Sequence, residues 1–318
     1  MSNFTVVGAG AIGSGVARSL ARLGHHVSVV TRSGSGPNEP GVTLVAADAT
    51  DPIRLGEVAA GSTALFNCAN PRYDMWPTDW PPLADSLLRA SEASGATLVT
   101  MSNLYAYGQP HGPMTPHDAL SATYEKAQVR AKMWHDAKAA HDAGRLHAVE
   151  VRASDFIGAN ANSLFDARMV RSIVAGRRCY VIGNPDVAHS WSYADDVVAT
   201  LVKVATTPSS WGRAWHVPTN EPRSSRQVIN DLARVAGVGE LKVSAIPTWL
   251  LRVAGLFNSL ARELPTTLYQ FQSTFVIDDT ETRELLGLTP TPWHDVLRGT
   301  LAIVPNIVPA SAVAQPSR

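Results

Sequence analysis

Apolar residues in the first half of the chain gather in short blocks separated by longer amphipathic stretches. Phe4-Thr-Val-Val7, His26-Val-Ser-Val-Val-Thr31, Val42-Thr-Leu-Val-Ala-Ala47 and Ala64-Leu-Phe-Asn-Cys-Ala69 have the length and composition of buried strands. Between the first two, Val16, Leu20 and Leu23 recur at helical spacing, and Gly24 is suited to closing that helix. A short helix is expected over 53–59, and a longer one over 82–94 with Leu83, Leu87 and Leu88 turned inward. Thr97-Leu-Val-Thr-Met101 predicts a fifth strand, 123–143 a long helix, and His147-Ala-Val-Glu-Val-Arg152 a sixth strand. Such alternation predicts a doubly wound parallel α/β sheet of Rossmann type, in which ligands lie beyond the carboxyl ends of the strands.

The link between the first strand and the first helix carries the most specific chemistry. Gly8-Ala-Gly10-Ala11-Ile12-Gly13 is a GxGxxG turn placed directly after a strand. In such a turn one glycine bends the chain, a second lets the backbone approach a pyrophosphate, and a third lets helix and strand pack closely. The helix's unpaired N–H groups then hold the anion. A dinucleotide cofactor is the reading, with a ligand-free glycine turn as its rival. At the end of the second strand, where an acidic residue takes the ribose 2′-OH of NAD, the chain has Thr31-Arg32-Ser33. An arginine there suits a 2′-phosphate, so NADP is expected with NAD as the alternative, unless Arg32 is only a solvated surface residue.

From Ala153 onward the regularity falls, with loops rich in Asn, Gly and Pro and helices expected near 163–175, 224–236 and 248–262. The organisation that follows is a nucleotide-binding domain over 1–152, with 192–220 returning to it, and a smaller C-terminal substrate-binding lobe from 153–191 and 221–304. The tail, 305–318, is expected to fray. At 318 residues and 45% hydrophobic the chain can bury a substantial core, and its zero formal charge lacks the basic footprint of a nucleic-acid or membrane-surface binder. A small-molecule substrate is the expected partner, and assembly is open, with a homodimer one candidate. Cys68 and Cys179 imply no disulfide framework, no basic leader precedes the first strand, and no apolar run approaches the about 20 residues of a membrane span. A cytoplasmic protein is expected.

Segments at the later strand ends widen the picture. They are Asp48-Ala49-Thr-Asp51, Cys68-Ala69-Asn70-Pro71, Ser102-Asn-Leu-Tyr-Ala-Tyr-Gly108, Arg152-Ala-Ser-Asp155-Phe-Ile-Gly158, Ser192-Tyr-Ala-Asp195-Asp196-Val and Glu284-Leu-Leu-Gly-Leu-Thr-Pro290. Together they resemble the extended short-chain dehydrogenase/reductase family, the NAD(P)-dependent epimerase/dehydratase group, from about Thr5 to Ile303. The resemblance implies hydride chemistry at a carbonyl or carbinol carbon. It implies that Asp48 and Ala49 lie beside the adenine, and that Ala69, Asn70 and Pro71 run under the ribose and nicotinamide. Asp48 has an equal alternative as a helix cap, and for Asp195 capping is the favoured role.

The resemblance also implies a Tyr-x-x-x-Lys on the long helix, with a Ser or Thr from the fifth strand. Here Tyr124 is followed four residues later by Gln128, so the motif is broken. Lys126 and Arg130 keep the four-residue spacing with two cations, while an ungapped register pairs Gln128 with Lys132. The Ser/Thr position falls on Asn103, an amide that can bond a carbonyl but cannot relay a proton as a hydroxyl does. Lys126 and Asn103 are therefore expected to hold the reacting oxygen. Burial and the neighbouring Arg130 would favour the neutral amine of Lys126, and Tyr124 or Tyr105 stands as a reserve acid. Ordinary solvated or ribose-binding roles for Lys126 and Arg130 remain equally open.

His111 and His117 flank the expected mouth of the site, and Trp76, Trp80 and His189 are candidates for its walls or for ordinary packing. His135 and His141 are six apart and share no helix face, so no metal pair is expected. No GxSxG, HExxH or CxxC occurs. Three functions fit: an NADP-preferring oxidoreductase or epimerase-like enzyme, a non-catalytic NADP(H)-binding sensor or scaffold, and a non-redox isomerase or lyase.

Overall fold

The structure is a computed structural model that describes residues 1–159, 163–247, 249–250 and 266–304. The first half alternates β1 (Asn3–Val7), α1 (Ala11–Arg22), β2 (His26–Thr31), β3 (Val42–Ala46), α2 (Pro52–Ala59), β4 (Ser62–Asn67), α3 (Trp76–Ser94), β5 (Thr97–Ser102), α4 (Glu125–Asp142) and β6 (Ala148–Arg152). Then come β7 (Asp155–Ile157), α5 (Ala167–Val174), β8 (Cys179–Val181), β9 (Trp191–Tyr193), α6 (Ala194–Ala205), β10 (Ala214–His216), α7 (Ser225–Val235) and β11 (Val243–Ala245), and finally α8 (Thr280–Leu286) and α9 (Trp293–Leu301). Most of the helix expected over 248–262, and the tail over 305–318, lie outside the described residues.

The described residues form a seven-stranded sheet in the order β10-β6-β5-β4-β1-β2-β3, every neighbouring pair parallel. Strand order reverses at β1, so a crevice opens above its carboxyl end between β1 and β4. Successive side chains point to opposite sides, and β1, β4, β5 and β6 are buried on both, whereas the edge strand β3 is largely half-buried or exposed. Val6 and Val29 join Val16, Leu20, Val197 and Leu201 beneath α1 and α6, whereas Val7 and Val30 join Leu55, Trp80, Leu87 and Ala140 beneath α2, α3 and α4. A third core, including Phe165, Ile173, Trp191, Ile229, Leu232 and Leu297, belongs to the smaller C-terminal lobe.

Helix α3 starts at Trp76, six residues before the expected start, and runs through Pro81 and Pro82. Its buried stripe explains this: Trp76, Trp80, Leu83 and Leu87 are all buried at helical spacing, while Leu88 is only half-buried. That packing outweighs the two backbone N–H donors the prolines lack.

Two capping expectations are corrected. Asp51, directly before Pro52, caps α2 by accepting from the N–H groups of Ile53 and Arg54 at 3.0 and 3.1 Å. Asp48 stands three residues too early and accepts from the backbone N–H and hydroxyl of Thr50 instead. At α6 the cap position is Tyr193, with no side-chain cap, so Asp195 falls inside the first turn.

Candidate active site

The turn after β1 is built by close approach. Gly8 has φ +96°, and a Cβ there would sit 2.7 Å from the Cys68 carbonyl oxygen. A Cβ on Gly13 would lie 1.9 Å from the carbonyl oxygen of Gly8. Gly10 differs, because a Cβ there would meet nothing within 4 Å. It is also the N-cap of the twelve-residue α1 and gives that helix no side-chain cap. An uncapped helix start facing open space fits a pyrophosphate, which would take the N–H groups that a capping side chain otherwise satisfies.

From Gly10, Ala11 and Ile12 a cleft of ≈ 390 Å³ runs along the carboxyl ends of β4 and β5. Ala69 and Asn70 line it; Pro71 lies just outside, its carbonyl accepting from Trp76 Nε1 at 3.1 Å. Arg32, Asp48 and Ala49 stand beyond the ends of β2 and β3, away from this cleft. Arg32 is exposed. The Asp48 carboxyl is held below its ordinary range, chiefly by the hydrogen bonds from Thr50, with a contribution from the Arg32 charge.

The long helix presents Lys126 and Arg130 inward, 5% and 6% exposed, while Gln128 and Lys132 are exposed. The inward face is therefore the one with two cations. Lys126 Nζ sits 4.5 Å above the Tyr73 ring. The Arg130 guanidinium lies over the rings of both Trp76 and Trp80, 4.5 and 4.4 Å from their centroids, and lines the cleft. Its Nη1 reaches the Met101 carbonyl only at 3.5 Å, and among the described residues its Nε has no hydrogen-bond partner. Burial lowers its pKa to about 10, so it is still a cation at neutral pH.

Asn103 lines the same cleft, its Oδ1 accepting from the Tyr105 N–H at 3.2 Å. The Tyr124 hydroxyl lies outside the lining, 3.3 Å from both the Tyr105 carbonyl and the Tyr269 hydroxyl. Burial, and then Tyr269, push the Tyr124 phenol far above its ordinary value. Tyr105 lines the cleft and is likewise pushed well up, first by burial and then by Tyr73 and Asp155. Tyr107 is turned away, bonded to His216 and Arg152. His111 and His117 are exposed and away from the cleft, with His117 bonded to Glu281. Among the described residues no cluster suits a metal ion.

A family model described as NAD dependent epimerase/dehydratase matches residues 4–217, more than half of the chain. The chain belongs to the NAD dependent epimerase/dehydratase family. This is a family of oxidoreductase-type enzymes that use a nicotinamide dinucleotide. Solved structures share the fold at low identity. A Thermotoga maritima UDP-glucose 4-epimerase with UDP-glucose is 16% identical, with a TM-score of 0.76, covering 95% of this chain and 98% of its own. A dTDP-glucose 4,6-dehydratase, DesIV, from Streptomyces venezuelae with NAD bound is 18% identical, with a TM-score of 0.73, covering 95% and 96%. The Bordetella bronchiseptica enzyme WbmH in complex with NAD+ is 15% identical, with a TM-score of 0.70, covering 95% and 98%. No curated protein matches the chain.

Within this epimerase/dehydratase frame, several cleft residues escaped the sequence reading. Tyr73, Gln270 and Phe275 line the cleft, and Trp76 is a wall as well as a packing residue. Gln270 and Phe275 come from a segment remote in sequence and carry no motif. Asp155 also lines the cleft, and here a signal existed: it lies in the Arg152–Gly158 segment, one of those that carry the family resemblance.

Proposed function

We propose that this family member moves hydride between a nicotinamide cofactor, NADP in preference to NAD, and a carbonyl or carbinol carbon of a small organic substrate. The observation that carries the reading is Arg130. It is a buried cation held against two indoles, with a donor that has no partner among the described residues, on the wall of a cleft that begins at the phosphate turn. A desolvated, preorganised cation of this kind stabilises negative charge developing on an oxygen more strongly than a solvated one does. Ser154 Oγ, on the same cleft, is a second buried polar atom without a partner among the described residues.

Gly10, Ala11 and Ile12 would hold the pyrophosphate, Ala69 and Asn70 would border the nicotinamide half, and Arg32 would meet a 2′-phosphate. When bound, the nicotinamide supplies or accepts the hydride. The chain's own part is to hold the reacting oxygen. Asn103, with its oxygen already used by the Tyr105 N–H, offers its amide N–H groups, and Lys126 stands one turn before Arg130 with its Nζ over the ring of the cleft residue Tyr73. Tyr124, with its phenol pushed up and bonded elsewhere, orders Tyr105 and Tyr269. The aromatic walls, Tyr73, Trp76 and Phe275, suit a substrate with an apolar face. We take the enzyme as cytoplasmic, a reading supported by the free thiols of Cys68 and Cys179.

The test is NADPH oxidation across a panel of aldehydes and ketones. Arg130→Met should lower kcat/KM by about 10²–10³-fold, the range for loss of one preorganised oxyanion donor, with NADPH affinity kept. NADPH binding without turnover of any carbonyl would favour the sensor reading and overturn this one.

A further inference from the structure

Asp155 is a charged group on the cleft wall that the reading above leaves without a task. It is the first residue of β7, and its side chain is 36% exposed. One of its oxygens is held. Oδ2 lies 2.9 Å from Nε2 of His189, which in its neutral Nε2–H form donates to the carboxylate. His189 is buried, and its ring stacks on Phe271 at 5.0 Å and 4° and on Phe275 at 5.3 Å and 27°, so the donor has a fixed place. Among the described residues no hydrogen bond reaches the other oxygen, Oδ1.

Two neighbours on the same cleft define what that oxygen can meet. Ser154, the residue before it, is 6% exposed, and its Oγ has no partner among the described residues. Arg130 makes no ion pair with Asp155 among those residues, yet both lie close enough to Tyr105 to act on its phenol. Burial dominates there, followed by Tyr73; Asp155 adds to the upward push and Arg130 opposes it. The cleft thus carries a cation and an anion that are not paired with each other. Such a wall suits a molecule that brings an acceptor to the one and a donor to the other. A carboxylate only accepts, and the Ser154 proton needs an acceptor, so the group that serves both residues at once is a hydroxyl. An ammonium would serve Asp155 but leave the Ser154 proton unplaced.

We propose that Asp155 is a specificity-determining residue whose Oδ1 accepts from a hydroxyl of the substrate, with His189 as the positioning residue that holds the carboxylate in place. The substrate class is then a hydroxyketone, which becomes a diol on reduction. This deepens the reading of the cleft as the reaction site and rests on it. Arg130 and Asn103 hold the carbonyl oxygen while Asp155 and Ser154 hold the hydroxyl, so the carbonyl is presented in one orientation. Water also reaches a half-buried carboxylate, which places the preference at the lower end for a hydrogen bond to a charged group, about tenfold.

Acetophenone, α-methoxyacetophenone and α-hydroxyacetophenone isolate the effect, because the methoxy compound keeps the oxygen and lacks the donor. Isothermal titration calorimetry of the NADP-bound protein should show the hydroxyketone binding about tenfold more tightly than the methoxyketone. Equal affinities would overturn the proposal. So would tighter binding of α-aminoacetophenone as its ammonium, which would make this corner a cation site. In Asp155→Asn the amide oxygen takes the His189 N–H and the amide N–H groups face the cleft, so the preference should disappear. Asp155→Glu, which keeps an acceptor, should retain part of it, and the wild-type ratio decides the question should either variant fail to fold. His189→Phe should bring the ratio towards one, whereas a merely structural histidine would weaken all three ketones at constant ratio. NADPH oxidation with the same ketones reads the reaction separately. A wild type that binds the hydroxyketone selectively and reduces none of the three overturns the reaction reading, while its calorimetric ratio still supports the hydroxyl site.

Discussion

Lowering the pH from 7.5 to about 4 should expose a buried histidine as a point of acid weakness. His216 on β10 is fully buried, with Nδ1 2.9 Å from the Asp278 carbonyl and Nε2 2.9 Å from the Tyr107 hydroxyl. The carbonyl fixes the hydrogen on Nδ1, so Nε2 accepts from the Tyr107 O–H, whose oxygen in turn accepts from Arg152 Nη1 at 2.6 Å. Every polar atom of the neutral ring is thus satisfied. Protonating Nε2 would set a donor against a donor beside a buried guanidinium. Burial first, and the Arg152 charge as well, lower the pKa of His216 to about 4, against an ordinary 6.5, although the Asp278 carbonyl opposes the shift. Between these values the unfolded chain binds a proton that the fold refuses, so unfolding free energy falls as pH drops from 6.5 towards 4. At about 1.4 kcal/mol per pH unit, the window corresponds to about 3 kcal/mol. Urea unfolding of the wild type and of His216→Gln at pH 7.5, 6, 5 and 4.5 isolates this contribution from that of the carboxylates. The gap between the two proteins should narrow by about 2–3 kcal/mol on acidification. Parallel stability curves would refute the reasoning.

Two further predictions concern the dinucleotide. Arg32→Ala should weaken NADPH binding by about tenfold or more and leave NADH nearly unchanged, as read by fluorescence titration; equal losses for both would remove the basis for NADP preference. Gly10→Ala and Gly13→Ala should behave differently. The former, with nothing near its added methyl, should keep the wild-type Tm but lose cofactor affinity, and the latter, 1.9 Å from the Gly8 carbonyl oxygen, should lower Tm as well.

The sheet was legible because its residues obey local rules. β1, β2 and β4 are apolar on both faces, and the GxGxxG turn has a steric logic that allows few other residues. Helix α3 begins six residues before the expected 82–94 span, because the tryptophan stripe that carries it through Pro81 and Pro82 acts only when packed. The register of the long helix had the same ambiguity. Lys126-Arg130 and Gln128-Lys132 share a spacing, and only the position of the indoles of Trp76 and Trp80 selects the first. Asp155 and His189 are 34 residues apart in sequence, and their meeting depends on β7 pairing with β9. A contact made that way leaves no spacing to read.

The central claim is that the cleft running from Gly10 to Arg130 is where hydride is exchanged. A crystal structure with NADP and a carbinol substrate or its unreactive analogue tests it most directly. The account predicts the pyrophosphate on the N–H groups at Gly10–Ile12, and the substrate oxygen within hydrogen-bond reach of Asn103 and Arg130. A nicotinamide ring seated elsewhere, or a substrate oxygen held by Tyr124 with Arg130 out of reach, would contradict it.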